Sequence, residues 1–196
     1  MNAVIVFNEL DKITYQDKIY KTVSRYIKKD YKENLSHKVA LILLMFLLNK
    51  YNFDINRVMK SYKYDKNNIP TANVHFSNSY SDNYVVSSIS DQLIGVDVEK
   101  KADYDLDILN EKELNEYNIL ILTRKEAYGK YLKLGLHYDY KSIDLSSNSN
   151  FFKRYGCYFH SFQDDNAIIS TCGNFNNIEY IKITCNALEQ FIDKLL

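Results

Sequence analysis

Apolar and polar positions along the first third of the chain predict one strand followed by two helices. The apolar run Ala3–Phe7 predicts the strand, and apolar residues at helical spacing predict a helix over Tyr15–Tyr31. The long apolar run Val39–Leu48 predicts a buried helix, because it is too short to span a bilayer. We expect this helix to begin at Ser36, a residue type that favours helix N-caps, and to end near Asn49.

The middle of the chain predicts a hairpin followed by a third helix. Asn83–Ser90 and Leu93–Val98 are rich in β-branched residues, and a short polar turn between them predicts that the two strands pair. The preceding segment Lys60–Thr71 is polar, contains the single proline and predicts a loop or a hairpin. Glu111–Leu134 predicts a helix that Gly135 ends.

The last third of the chain predicts mainly strands and a final helix. The predicted strands are Ser142–Leu145, Tyr155–Phe162, Ala167–Thr171 and Tyr180–Thr184. The helix is predicted over Asn186–Leu195. Helices and strands therefore mix throughout the sequence.

A segment in the second half of the sequence resembles a segment in the first half. Asn83–Ile89 (NYVVSSI) resembles Asn166–Cys172 (NAIISTC), which lies 83 residues later. One interpretation is two related α/β halves packed face to face; the alternative is that any two hairpins of β-branched residues look alike. Asp97 and Glu99 have no acidic counterparts in the second half. We therefore expect one functional site at the junction of the halves.

Composition and charge mainly exclude some classes of protein and of binding partner. The 196 residues, 46% of them hydrophobic, are enough for one large domain or two small ones. Twenty-five basic residues balance 25 acidic ones, which argues against a nucleic-acid partner. The excess of tyrosine without tryptophan is typical of an AT-rich bacterial genome and is not a functional signal.

The cysteines and the N-terminus predict a cytoplasmic protein without a membrane partner. Three cysteines, Cys157, Cys172 and Cys185, show no Cys-x-x-Cys spacing and support neither a disulfide framework nor a zinc site. That usage fits a reducing compartment. The first residues show no signal-peptide pattern.

Two carboxylates, Asp97 and Glu99, lie two residues apart in the predicted strand after Gly95. Side chains at this spacing share a face of a strand, roughly 6.6–7 Å apart, so the pair can hold one divalent cation such as Mg²⁺. The alternative is that both acids line the solvated face of an edge strand, paired with Lys100 or Lys101. Taken alone, the two residues favour that alternative.

The third predicted helix carries a second group of charged residues, Lys125, Glu126 and Lys130. Glu126 and Lys130 are four residues apart and share a helix face, so they can act as a base and a phosphate clamp. The alternative is an ordinary surface ion pair, worth only about 0.3–0.5 kcal/mol. Gly129, inside the helix, predicts close approach of another backbone.

Hydroxyl, amide and lysine side chains offer possible phosphate contacts. The Ser77–Ser79 cluster precedes the predicted hairpin and can bind phosphate, although turn chemistry is the common alternative. Lys28, Lys32 and Lys66 can contact further phosphates, or they are solvent-exposed charges.

The order and spacing of these pieces resemble the 4'-phosphopantetheinyl transferases, specifically the surfactin-synthetase-activating class. The family carries a Ser-His-Ser-like element, which resembles Ser77-Asn78-Ser79. It also carries a Gly-[Ile/Val]-Asp-[Ile/Val]-Glu strand, which resembles Gly95–Glu99, and a Trp-x-x-Lys-Glu-x-x-x-Lys helix, which resembles Leu122–Lys130. Similarity is strongest over Val74–Lys100 and extends more coarsely over residues 36–184. The resemblance implies an α+β fold of two pseudo-symmetric α/β halves, residues 1–96 and 97–196, with the active site at their junction.

The resemblance also implies a reaction. The 4'-phosphopantetheine arm of coenzyme A would pass to a serine of an apo acyl or peptidyl carrier protein, giving holo carrier protein and 3',5'-ADP. The carrier would serve nonribosomal peptide, polyketide or fatty-acid synthesis. Because both halves of the cleft lie on one chain, a monomer is expected.

The family's roles can be carried over residue by residue. By position, the ligands of Mg²⁺ would be Asp97, Glu99 and Glu113. Glu126 would deprotonate the serine, Lys130 would neutralise charge on the pyrophosphate, and Lys125 would support phosphate binding. The contacts to coenzyme A would come from Ser77, Asn78, Lys28, Lys32 and Lys66.

The sequence also departs from the family pattern. Asn78 replaces the family histidine, and Leu122 replaces the tryptophan. Of the family's Tyr-Gly-Lys-Pro loop, Tyr64 and Lys66 remain. These departures favour an alternative function, that of a degenerate homologue that binds coenzyme A or a carrier protein without transfer. The acids and lysines of the other two motifs oppose it.

Overall fold

The computed structural model describes residues 1–27, 34–61, 68–69, 73–101, 118–134 and 139–196. Over these residues the chain is a mixed α+β protein with two sheets and five α-helices. The strands are β1 (Asn2–Phe7), β2 (Asn68–Ile69), β3 (Val74–Ser81), β4 (Tyr84–Ser90), β5 (Ile94–Lys100), β6 (Phe151–Arg154), β7 (Cys157–Asp164), β8 (Ala167–Gly173) and β9 (Glu179–Lys182). The helices are α1 (Gln16–Tyr26), α2 (Leu35–Lys50), α3 (Ile55–Met59), α4 (Asn118–Leu132) and α5 (Cys185–Leu195).

The strands form a five-stranded sheet in the order β2-β3-β4-β1-β9 and a four-stranded sheet in the order β5-β8-β7-β6. All neighbours are antiparallel except β1 and β9. The predicted pairing of the strands now called β4 and β5 is therefore wrong. Both edges of β4 are already taken, since Ser87 pairs with Asn78 on one side and Ile5 on the other. The chain crosses to the second sheet, where β5 pairs with β8.

The two sheets pack against each other, with helices on their outer faces. Strand β1 lies in the middle of this arrangement and is buried on both faces. Ala3, Ile5 and Phe7 face the core beneath α1, α2 and α5, whereas Val4 and Val6 face the second sheet. Burial on both faces explains why the sequence of this strand is a continuous run of apolar residues. On the far side of the second sheet, α4 packs over Cys157, Phe159 and Cys172.

The two sheets share one pattern of strand order and chain spacing. The first sheet contains β2-β3-β4-β1 and the second contains β6-β7-β8-β5 in the matching order. The pairs α2 and α4, β3 and β7, and β4 and β8 each begin 83 residues apart. The predicted division between residues 96 and 97 falls inside β5, and β9 returns to complete the first sheet.

Several predicted element ends differ from the structure. The cap of α2 is Asn34, one residue before the helix, whose side chain accepts a hydrogen bond from the His37 amide at 3.0 Å; it is not Ser36. Helix α1 ends at Tyr26 because Ile27 has an extended backbone. None of the helices in the described part of the chain is long and apolar enough to cross a membrane.

The segment before the second sheet's hairpin differs most from its prediction. Tyr140–Ser142 forms a 3₁₀ turn, and the predicted strand Ser142–Leu145 is wrong. The predicted strand Tyr155–Phe162 begins later, at Cys157, and follows the unpredicted strand β6. Tyr155 and Gly156 both have positive φ, 52° and 79°, which is the geometry of a tight hairpin turn between β6 and β7.

Two of the three cysteines meet in the core, although their sequence spacing gave no sign of it. The Sγ atoms of Cys157 and Cys172 lie 3.1 Å apart, and both thiols are free and buried. Burial raises the pKa of Cys172, which keeps it protonated. Cys185 lies elsewhere, at the start of α5.

Acid is expected to destabilise the fold through His37, in the first turn of α2. Its side chain is buried, and this burial, with the charge of Lys38, lowers the His37 pKa to about 4. The folded state thus prefers the neutral ring, so its stability is complete above the unfolded pKa of about 6.5 and falls as the pH drops towards 4.

Urea unfolding at pH 7 and pH 5 checks this expectation. Between these values, His37 should cost the wild type about 2 kcal/mol of unfolding free energy. The variant His37→Gln should lose correspondingly less over the same interval. Equal losses for the two proteins would contradict the assignment of this acid sensitivity to His37.

Candidate metal and catalytic site

The candidate site lies where β3, β5 and α4 meet. Asp97 and Glu99 point to one face of β5, while Val96 and Val98 point to the other and pack in the core between the sheets. The Asp97 side chain is only 1% exposed, whereas Glu99 is half-buried. A buried carboxylate needs partners, which come from β3 and α4.

Gly95 allows α4 to approach β5 closely. A Cβ atom at this position would lie 2.0 Å from the Ala127 carbonyl oxygen and 2.6 Å from the Tyr131 amide nitrogen. Both are backbone atoms, so no side chain at position 95 fits without moving the helix. The close approach brings Glu126 and Lys130 of α4 beside Asp97.

Gly129, which was predicted to mark the approach of another backbone, has a different neighbour. A Cβ atom there would lie 2.2 Å from the Tyr140 hydroxyl oxygen. The contact is therefore with a side-chain ring. The close backbone contact of α4 occurs at Gly95 instead.

Three carboxylates converge at the site. Asp97, Glu99 and Glu126 each offer an oxygen, and these three atoms lie within 4.8 Å of one another. The Asp97 Oδ2 atom is buried and has no hydrogen-bond partner in the part of the chain that is described. Oxygen-only ligands of this kind suit a hard cation such as Mg²⁺, so the residues fit the ion. Glu113, the predicted third ligand, lies outside the described residues, and Glu126 supplies the third carboxylate here.

Lys130 and Ser79 both bind the remaining oxygen of Asp97. The Lys130 Nζ atom lies 2.7 Å from Asp97 Oδ1 and 2.8 Å from Ser79 Oγ. The Ser79 hydroxyl donates to the same Asp97 Oδ1 at 2.8 Å. Two donors, one of them a charged ammonium group, therefore converge on a single oxygen of the buried Asp97 carboxylate.

The environment of Glu126 alters its acidity. Burial first, and then the neighbouring charge of Asp97, raises the Glu126 pKa to about 7, although Lys130 acts in the opposite direction. A carboxyl group with a pKa near neutrality can both accept and release a proton at cellular pH. The arrangement can therefore hold a divalent cation, bind a negatively charged group and accept a proton.

Lys125 does not join the cluster. Its side chain is fully buried, and its Nζ atom donates to the Tyr140 carbonyl oxygen at 2.7 Å. Successive residues of a helix point about 100° apart, so Lys125 faces away from the direction that Glu126 and Lys130 share.

Ser77 and Asn78, the predicted contacts to coenzyme A, point to opposite faces of β3. The Ser77 hydroxyl is buried and accepts a hydrogen bond from the Val96 amide at 3.1 Å. On the other face, Asn78 Oδ1 accepts from the Ser87 hydroxyl at 2.8 Å. The two side chains therefore cannot contact one phosphate together from this strand. The other predicted contacts, Lys28, Lys32 and Lys66, lie outside the described residues.

Sequence reasoning placed Ser79 in a possible phosphate-binding cluster, not beside the acids of β5, and gave no role to Ser81. Ser81 Oγ donates to Glu99 Oε2 at 2.9 Å, in the same way that Ser79 donates to Asp97. The sequence does contain a signal for these contacts, namely serines at every second position of β3 and acids at every second position of β5. Side chains with this spacing share one face of their strand, so the two sets can face each other.

The residue before Lys125 was also missed. Arg124 is fully buried in α4 and has no carboxylate among its hydrogen-bond acceptors in the described residues. Its guanidinium binds the backbone of the segment between residues 145 and 149. This arginine organises the loop beside the second sheet.

No family model matches the sequence, and no curated protein matches it significantly. The function must therefore be inferred from the geometry of this site and from the motifs that form it.

Proposed function

We propose that this protein is a magnesium-dependent 4'-phosphopantetheinyl transferase that acts on coenzyme A and an apo carrier protein. The observation that carries the proposal is the convergence of Asp97, Glu99 and Glu126 within 4.8 Å, beside the ammonium group of Lys130. These are the residues that the Gly-Val-Asp-Val-Glu strand and the Lys-Glu-x-x-x-Lys helix motifs contributed to the resemblance. The motifs are far apart in the chain, so their meeting in space supports the proposal.

The arrangement of the sheets also supports the proposal. Matching strand orders and the repeated spacing of 83 residues are what a duplicated α/β unit would give. We interpret the chain as two such pseudo-symmetric halves, with β5 lying at their junction. The acids of β5 and the helix α4 would then line the cleft between the halves.

Phosphoryl transfer depends mainly on positioning and charge neutralisation, so few groups are needed. Asp97 and Glu99 would hold Mg²⁺, and Glu126 lies close enough to contribute an oxygen. Bound there, the ion would neutralise charge on the pyrophosphate of coenzyme A.

Two side chains of α4 would supply proton acceptance and further charge neutralisation. Glu126 would accept the proton of the attacking carrier serine, a role that suits a pKa of about 7. Lys130 would balance negative charge on the pyrophosphate, and Asp97 and Ser79 hold its ammonium group in place. Rigid placement of these groups before substrate binds lowers the cost of organising them during the reaction.

The direct test is a transfer assay. The protein is incubated with coenzyme A, Mg²⁺ and a panel of apo acyl and peptidyl carrier proteins, and intact-protein mass spectrometry follows the carriers. We expect one carrier at least to gain one phosphopantetheine group, and we expect EDTA to prevent the gain. Binding of coenzyme A without transfer to any carrier would instead support the degenerate homologue, which Asn78 and Leu122 favour.

Glu126→Gln is expected to slow transfer by about 100-fold or more, because the amide cannot accept a proton. The variant should stay folded, since it replaces a half-buried carboxyl group by a neutral group of similar shape. Initial transfer rates at saturating coenzyme A measure the effect. The matched control is Glu189→Gln on α5, where the acid pairs with Lys18 at the surface. Equal rates for the two variants would remove Glu126 from the reaction.

A further inference from the structure

One face of β3 presents a row of three serine hydroxyls, Ser77, Ser79 and Ser81, to β5. Residues at alternate positions of a strand point the same way, so these three side chains follow one line. Each of them contacts β5 by a hydrogen bond. We call this set the hydroxyl row.

The hydroxyl row lies where two sheets meet without a shared backbone ladder. Strand β5 is an edge strand of the second sheet, paired with β8 along its length. On its other edge, the Val96 amide donates to Ser77 Oγ at 3.1 Å and the Lys100 amide donates to Ser81 Oγ at 3.4 Å. Serine side chains thus accept the bonds that a neighbouring strand's carbonyls would otherwise accept.

Two members of the row also donate to the candidate metal ligands. Ser79 donates to Asp97 Oδ1 and Ser81 donates to Glu99 Oε2, at 2.8 and 2.9 Å. On Asp97 the hydroxyl and Lys130 share one oxygen, and Oδ2 has no partner among the described atoms. Two donors on one oxygen restrict rotation of the carboxylate, because rotation would break both bonds.

We propose that Ser79 and Ser81 are positioning residues that fix the carboxylates of Asp97 and Glu99 for a divalent cation. Hydrogen bonds to metal ligands from outside the coordination sphere orient those ligands, and losing one commonly weakens metal binding about 10–100-fold. The inference rests on the proposed function only for the identity of the ion, because cation binding can be measured without coenzyme A or a carrier.

Titration of the full-length protein with Mn²⁺, followed by electron paramagnetic resonance of the free ion, tests the proposal. We expect Ser79→Ala to raise the dissociation constant for Mn²⁺ by more than about 10-fold. Ser81→Ala, beside the half-buried Glu99, should raise it by about 10-fold, the lower end of the range. Ser79→Thr keeps the hydroxyl and should restore binding to within about twofold of the wild type.

Ser88→Ala on β4 provides the matched control. The Ser88 hydroxyl is also fully buried and donates to the Ser77 carbonyl oxygen at 3.1 Å, away from the carboxylates. All three alanine variants should lose a similar stability in EDTA, seen as similar downward shifts of the urea unfolding midpoint, because each loses one buried or half-buried hydrogen bond. Only the Ser79 and Ser81 variants should also bind Mn²⁺ more weakly.

The outcomes separate the two proposals. If the wild type binds Mn²⁺ and Ser79→Ala and Ser81→Ala bind it equally well, the positioning role is wrong and the metal site stands. An equal loss of affinity in Ser88→Ala would overturn the positioning role as well, because it would trace the effect to general destabilisation. A wild-type chain that binds no Mn²⁺ would overturn both the hydroxyl-row proposal and the proposed function.

Discussion

Replacement of Asp97 by asparagine is expected to abolish binding of Mg²⁺ or Mn²⁺ and to slow phosphopantetheine transfer by about 10²–10³-fold or more. Asn has nearly the shape of Asp, so the fold around β5 should persist. Asn lacks the negative charge that Asp97, the most buried of the three carboxylates, carries.

The size of this effect follows from the place of Asp97 in the cluster. Its two oxygens differ, because Oδ1 binds Lys130 and Ser79 whereas Oδ2 has no hydrogen-bond partner among the described residues. An amide at this position removes the ion pair with Lys130 and one anionic metal ligand together. Glu99 and Glu126, both half-buried, would remain as the only acids of the group.

Isothermal titration with Mg²⁺ and the transfer assay measure the two consequences of Asp97→Asn. The control is Asp91→Asn, which removes an exposed acid that pairs with the N-terminal amine. The control should retain wild-type affinity and rate to within about twofold, since exposed ion pairs contribute little. Cation binding by Asp97→Asn as tight as that of the wild type would place the metal elsewhere.

Local periodicity predicted the parts of the site that lie within one element. Spacing of two residues in a strand placed Asp97 and Glu99 on a common face, and spacing of four residues in a helix did the same for Glu126 and Lys130. These relations depend only on the geometry of a strand or a helix. They therefore follow from the sequence once the element type is known.

Contacts between elements could not be predicted in this way. Gly95 resembles any small residue of a strand, and its role becomes visible only when the backbone of Ala127 lies against it. The resemblance implied Glu113 as third acidic ligand, and this residue lies outside the described part of the chain. Glu126 reaches the other two carboxylates through packing of α4 on β5, which its position in the sequence did not indicate.

Strand pairing failed for a related reason. The turn after Ser90 has the composition of a hairpin turn, and turn composition is a local signal. Which strands pair is decided by the edges that remain available, and both edges of β4 are occupied by β1 and β3. The same holds for the cap of α2, where Asn34 and Ser36 are both suitable residue types and the fold selects Asn34.

Arg124 was the least predictable residue, because an arginine on a helix is usually exposed. Here its burial and the nearby charge of Arg154 lower its pKa to about 10, and the guanidinium remains charged at neutral pH. Its guanidinium nitrogens lie 2.8 to 3.1 Å from acceptors that the chain provides, which are the Leu145, Ser147 and Ser149 carbonyl oxygens and Ser161 Oγ. One of these carbonyls, that of Leu145, belongs to the predicted strand Ser142–Leu145 and binds the arginine in place of a strand partner.

Arg124→Met is accordingly expected to lower the unfolding free energy by about 3 kcal/mol or more, because each buried acceptor left unsatisfied costs about 1–3 kcal/mol and three loop carbonyls lose their donor. Methionine fills part of the volume and keeps the contact with Phe152, whose ring lies 4.8 Å from the guanidinium carbon. It offers no donor, so the loop carbonyls must find water or stay unsatisfied. Arg124→Lys should lose less, because an ammonium group keeps the charge although it cannot reach all four acceptors.

Urea unfolding measures the loss for Arg124→Met, and hydrogen exchange locates it. Arg154→Met is the matched control, since Arg154 also donates to loop carbonyls, those of Asp144 and Ser146, but from a position that is 37% exposed. Water can replace an exposed donor, so the control should lose less than about 1 kcal/mol. Amides of residues 143–150 should exchange faster in Arg124→Met than in the control. Similar losses in the two variants would mean that burial of the donor does not matter and that the loop is held by its own turns.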